Sequence, residues 1–187
     1  MNGCAIVEND ALIEDAFAAW DQAVGRSRAA YRGHVYRVFN FSRRLLGTAR
    51  ADRELAVASA FHDIGIWTDG TFDYLEPSAA RARDYLAQRV LGVSNAAVAH
   101  AIDNHHALRR IRGGPSPDVS EAFRRADFVD LTRGLVPFGL DRGFVRDVLR
   151  AFPNRGFHRF LVRTAVAWAT SHPLRPLPML RLMERGR

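Results

Sequence analysis

Apolar residues return every three or four positions along almost the whole chain, the period of an α-helix with one buried face. The first run, Leu12, Ile13, Ala16, Phe17, Trp20 and Val24, follows Asp10, whose side chain suits a helix cap, and predicts a helix over about 10–25. A second run places Tyr31, His34, Val35, Val38, Phe41 and Leu45 on one face and stops at Gly47, the residue type that best tolerates a left-handed cap. A third, rich in Ala and Leu, covers 52–61 and ends in His62, Asp63, Ile64 and Gly65. Segment 67–78 has turn chemistry at Asp69-Gly70 and a helix restart around Pro77 and Ser78, and reads as an ordered loop. Further helices are expected at about 78–91, 94–107 with Ser94 as cap, 117–132, 141–152 and 156–171, before a tail punctuated by Pro173, Pro176 and Pro178. No strand pattern and no internal repeat competes, and the connector 113–117 is too short to separate domains. The expected fold is all-α, a single domain of about seven or eight helices. Its core lies at about 28–133, helices over 141–171 pack on it, and a Pro-rich tail spans 173–187.

The composition narrows the class of partner. The 187 residues, 48% hydrophobic and 25% charged, fit one globular domain rather than a disordered tail. All 27 cations are Arg, against 20 carboxylates, and the net charge of +7 is spread along the chain. Such a field draws small anions such as phosphates, whereas nucleic-acid binders gather their cations in one stripe, so no nucleic-acid partner is expected. The lone Cys4 cannot form an intrachain disulfide or a Cys-based zinc cluster, and the N-terminus leads into acidic residues rather than a signal peptide, which points to the cytoplasm. Arg or Asp interrupts every apolar stretch before it could span a bilayer, so no membrane partner is expected either. Arg and aromatic surface residues would allow a homodimer, though no heptad seam argues for one.

The candidate chemistry lies where ionisable residues fall on apolar faces, because burying such a group is costly unless something pairs with it. His34 shares its face with Tyr31, Val35, Val38 and Phe41; His62 and Asp63 end an apolar helix; Asp127 lies on the side of Phe123 and Leu131. Each alone reads equally well as a satisfied core histidine or a helix-end aspartate. Together, two imidazoles and two carboxylates make a donor set for one divalent ion such as Mn, Fe, Ni, Co, Zn or Mg, with sites left open to substrate.

His34, the adjacent pair His62-Asp63 followed by Ile64-Gly65, and Asp127 within Arg-Arg-Ala-Asp-Phe-Val-Asp resemble, over about 28–133, the HD-domain superfamily of metal-dependent phosphohydrolases. The stretches around Ile66-Trp67, Thr71 to Ser78 and Asn104 to Arg109 are similar to small single-domain bacterial members of unassigned substrate. The resemblance implies an HD-type helical bundle in which His34, His62, Asp63 and Asp127 hold one metal. It implies catalysis by metal-activated water, with Asp63 at the centre, on a small phosphorylated substrate of the nucleotide kind. His105 and His106 would touch phosphate or hold a second metal, or else form a polar helix end; His100, opposite them, is expected to face solvent. Arg109, with Arg110 and Arg112 behind it, suits a bidentate grip on phosphate or a solvated charge run. Glu76 is the candidate for proton transfer, with Asp73 beside it, and Trp67, Phe72 and Tyr74 would wall the pocket, stack on a base, or simply pack the loop. Asp130 is expected to pair with Arg133 or Arg125, and His158 and His172 to be structural.

The chain departs from known branches in telling places. No acid follows Asp63 until Asp69, so a nucleotidase base cannot be carried over, and Ile66 and Arg112-Gly113-Gly114-Pro115 replace the signatures of the cyclic-dinucleotide phosphodiesterases. No histidine occurs between Asp63 and His100, which disfavours a di-iron oxygenase. A non-catalytic ligand sensor with the same fold stays open as the alternative to an enzyme.

Overall fold

A computed structural model describes residues 5–180. Among the described residues the chain forms eight α-helices of ten residues or more, a four-residue helical turn and a 3-10 turn over Gly25–Ser27, with no strand. In order these are α1 (Ala11–Val24), α2 (Arg28–Leu46), α3 (Asp52–Phe61), the turn α4 (Gly65–Thr68), α5 (Leu75–Ala87), α6 (Asn95–Asn104), α7 (Pro117–Leu131), α8 (Arg142–Ala151) and α9 (Phe157–Ser171). Cys4 and part of the Pro-rich tail lie outside the described residues. No described helix is long and apolar enough to cross a membrane.

The local signals act as expected at several helix ends. The Asp10 carboxylate accepts the Leu12 and Ile13 amides, Ser94 accepts from Ala97, and Asp141 accepts from Phe144, satisfying donors that open helix ends leave free. Gly47 closes α2 in the left-handed conformation. Several boundaries differ, among them the end of α5, at Ala87 rather than near 91. Helix α5 starts at Leu75 rather than near 78, because Pro77 needs no amide partner in the first helical turn. Helix α6 ends at Asn104, so His105 and His106 stand in the following turn and not on a helical face.

Helix α2 is the axis of the molecule. Every residue from 33 to 42 is buried, because α2 packs against α7 along most of its length and also meets α1, α3, α8 and α9. Gly33 permits the closest of these approaches; a Cβ there would stand 3.1 Å from the Pro153 carbonyl oxygen in the α8–α9 connection. Gly65 does the same for the segment after the His-Asp pair. A Cβ would meet the Tyr74 carbonyl oxygen at 2.9 Å, and the Gly65 amide donates to Ser78 Oγ at 3.0 Å. The loop is thereby folded back over the end of α3 with Tyr74 underneath. A smaller apolar cluster of Ile66, Phe72, Tyr74, Leu75 and Met179 joins this loop to the half-buried inner side of α9.

Candidate metal centre

Because α2 lies between α3 and α7, residues far apart in sequence meet. His34 Nε2 is 2.8 Å from His62 Nε2, 3.4 Å from Asp63 Oδ2 and 3.6 Å from Asp127 Oδ1. His62 Nε2 is 3.6 Å from the same Asp63 oxygen and 3.7 Å from the same Asp127 oxygen. Donors bound at about 2.1 Å to one ion lie roughly 3.0 to 3.4 Å from one another, so the spacing of His34, His62 and Asp63 fits a single cation after small adjustments, and Asp127 stands beside this group. None of the four residues is more than 4% exposed.

Each imidazole is aimed by its other nitrogen. His34 Nδ1 meets Asp130 Oδ2 at 2.6 Å, His62 Nδ1 the Ser59 carbonyl oxygen at 2.8 Å, and His105 Nδ1 the Ile102 carbonyl oxygen at 2.7 Å. An Nδ1–H given outward leaves Nε2 free to face a metal. Since His62 donates at Nδ1, its Nε2 can only accept, and His34 is the donor across the 2.8 Å contact. Without a metal, a proton therefore sits between the two rings where a cation would go. Burial disfavours a charged His34, but the hydrogen bonds it donates to Asp130 and Asp63 outweigh it and hold its pKa at about 9. Burial takes His62 down to about 3, so it is neutral. Asp63 is held low despite burial, by the neighbouring His62, His105 and His34, whereas burial carries Asp127 up to about 6 against the pull of His105 and His34.

The carboxylates have a second side. Asp63 Oδ1 lies 3.5 Å from His105 Nε2, and Asp127 Oδ2 lies 3.7 Å from His106 Nδ1. Asp63, His105 and His106 form a second donor group beside that of His34, His62 and Asp63. Asp63 Oδ1 and His105 Nε2 are buried and have no hydrogen-bond partner. A cation would satisfy both, and leaving them bare carries a desolvation cost. Tyr74, 2% exposed, donates its hydroxyl to His106 Nε2 at 2.7 Å and covers this side, where His106 is the most exposed donor, with 18% of its side chain accessible. The residues present thus fit a metal centre, and the bound ions could number one or two.

Several sequence expectations need correction. His100 is buried, not solvated, with Nδ1 on Ser120 Oγ at 2.8 Å, because α7 covers the face of α6 that a lone helix would expose. Asp130 pairs with Arg37 of α2 rather than with Arg133 or Arg125, and Arg125 is taken by Glu121. Leu131, expected on the inner side with Asp127, is 48% exposed at the end of α7. His158, expected to be structural, stands beside this pair, its Nε2 3.9 Å from Asp130 Oδ2.

The loop residues sort cleanly. Glu76 is bound to Arg83 at 2.9 Å on the surface, Asp69 to Arg81 at 3.1 Å, and Asp73 to Arg175 at 3.4 Å. All three carboxylates are thus turned toward surface arginines. Trp67 packs between Tyr31 and Phe160, and Phe72 is core, so of the loop aromatics Tyr74 reaches the donors. Arg109 is exposed beyond the histidine pair, while Arg110 and Arg112 line a groove of about 560 Å³ with Leu45, Glu121 and Arg125 that includes none of the donors. Sequence reasoning missed Arg37. Its signal was a fixed charge one turn from His34 on the same apolar face. No protein-family model matches this chain, and neither a curated protein nor a solved structure does.

Proposed function

We propose that this chain is a metal-dependent phosphohydrolase of the HD-domain kind, acting on a phosphate ester or anhydride of a small metabolite, with nucleotides the first class to examine. The observation that carries this reading is the convergence of His34, His62, Asp63 and Asp127 from three helices, with the imidazole Nδ1 atoms engaged outward and Nε2 inward. These residues would hold a divalent ion, Mn, Fe, Ni, Co, Zn or Mg. Such an ion supplies Lewis-acid polarisation of a phosphoryl oxygen and makes water a nucleophile near neutral pH. The protein's own share is to hold the donors in a dry site, to present His105 and His106 to the phosphate, and to move protons through them. His106 lies on the accessible side, and His105 Nε2 has no other partner. Glu76, tied to Arg83, is displaced from the proton-transfer role, and Arg109 is free on the surface to meet an incoming anion.

One observation favours a second reading. The centre is closed, with Tyr74 and Phe157 packed over donors that are almost wholly buried, as suits a metal-bearing sensor or binding module that turns nothing over. Elemental mass spectrometry of the purified protein, beside Asp63→Ala and Asp127→Ala, tests the centre. The expected result is at least one ion per chain, absent from both variants. Phosphate release from phosphomonoesters and nucleotides with Mn, Ni or Zn then separates the readings: turnover abolished by Asp63→Ala supports the hydrolase, and a tight ion without turnover supports the sensor. No ion after reconstitution overturns both.

A further inference from the structure

The pairing of α2 with α7 carries two layers of buried polar residues, one turn apart. His34 and Asp127 form the first; three residues further along each helix, Arg37 and Asp130 form the second. Both members of the second layer are fully buried, at 1% and 0% exposure. A buried ion pair is a weak way to stabilise a core, since apolar residues of the same volume do as well or better, so its presence asks for another reason. The contacts supply one. Asp130 Oδ2 accepts both His34 Nδ1, at 2.6 Å, and Arg37 Nη2, at 2.9 Å, while Arg37 Nε binds Asp130 Oδ1. The remaining guanidinium nitrogen, Nη1, donates to the Phe152 carbonyl oxygen at 2.9 Å, which ties the unit to the end of α8. The fork of Arg37 fixes the plane of the Asp130 carboxylate, and that plane fixes the ring of His34. Phe157 closes the remaining freedom, stacking on the His34 ring at 4.2 Å and 18°. His62 and His105 lean on backbone carbonyls, so His34 is the donor whose aim depends on a charged side chain.

We infer that Arg37 and Asp130 are positioning residues of the metal centre, which lock His34 with Nε2 toward His62, Asp63 and Asp127 and so set the affinity and geometry of the bound ion. This rests on the metal reading above. A carboxylate behind a ligating imidazole orients the ring and raises its basicity, and its removal costs about 10- to 100-fold in metal affinity.

Cobalt(II) serves as the probe, titrated into the metal-free full chain and followed by its visible absorption. Wild type, Asp130→Asn and Arg37→Met are compared with Asp52→Asn, which breaks the Arg43 pair elsewhere on α2. Asp130→Asn should lose about 10- to 100-fold in Co(II) affinity and shift the absorption bands, Arg37→Met should follow in the same direction, and Asp52→Asn should match wild type. Wild-type affinity and bands in a folded Asp130→Asn overturn the inference and leave the metal reading intact. Failure of wild type to bind Co(II) overturns the metal reading and the inference with it. If Asp130→Asn does not fold, nitrogen-15 NMR of the wild-type imidazoles decides: a His34 proton on Nδ1 in the Co(II)- or Zn(II)-loaded chain supports the inference, and a proton on Nε2 overturns it.

Discussion

The two sides of the candidate metal centre share the carboxylates of Asp63 and Asp127 but are built differently. On the His34 and His62 side, both rings stand on helical backbone or its immediate end, with Nδ1 engaged outward and no more than 3% exposure. On the other side, His105 and His106 occupy a turn after α6, His106 is the more exposed, and its partner is the hydroxyl of Tyr74 from a loop. The first side is preorganised by elements that cannot move without disrupting the α2 and α7 packing. The second is held by a turn and a loop, the parts of a fold that open at least cost. On the proposed reading, tight retention of an ion would belong to the first side and exchange with substrate to the second.

That contrast can be broken in order of expected effect. Asp63→Ala removes the oxygens that serve both sides, and elemental analysis should find no bound ion and an activity assay no turnover. His105→Ala should keep the ion held by His34 and His62 while lowering phosphate release by roughly 100-fold, the scale of a lost proton-transfer group. A loss of all metal in His105→Ala would instead make the two sides one inseparable centre.

The pH dependence of the first side follows from His34. Its pKa is raised to about 9, so the stability its proton contributes is fully present below about 6.5 and is lost as pH rises through 9. Thermal unfolding of the metal-free chain should therefore move to lower temperature between about pH 7 and 9, while the metal-loaded chain, which has released that proton, stays flat. Apparent metal affinity should climb about tenfold per pH unit below 9 as one proton is displaced. Tyr74→Phe removes the hydroxyl over the second side and should change turnover by a few-fold with metal content unchanged. Glu76→Ala should change least, within about twofold in turnover, because its carboxylate is engaged by Arg83 on the surface.

Much of this was legible in the chain, and the reason lies in locality. Helix starts at Asp10, Ser94 and Asp141, the stop at Gly47 and the inward face of α2 depend on groups within four residues of each other. The four donors stood out because an ionisable residue on an apolar face has to be met by something. What met them was not legible. His100 looked solvated because nothing in its own helix says that α7 will cover it. Asp130 had arginines at three and five residues' distance, yet took Arg37 from 93 residues away, since the packing of α2 on α7 buries both side chains against each other. Glu76 and Asp73 read as site acids from their place in the chain, but each meets a surface Arg. The sequence alone thus determined the helices and which ionisable residues fall on their apolar faces. The tertiary structure decided which nitrogen of each ring faces inward and which charges are paired, because both depend on which helix faces meet, a property of the packed molecule rather than of any short stretch.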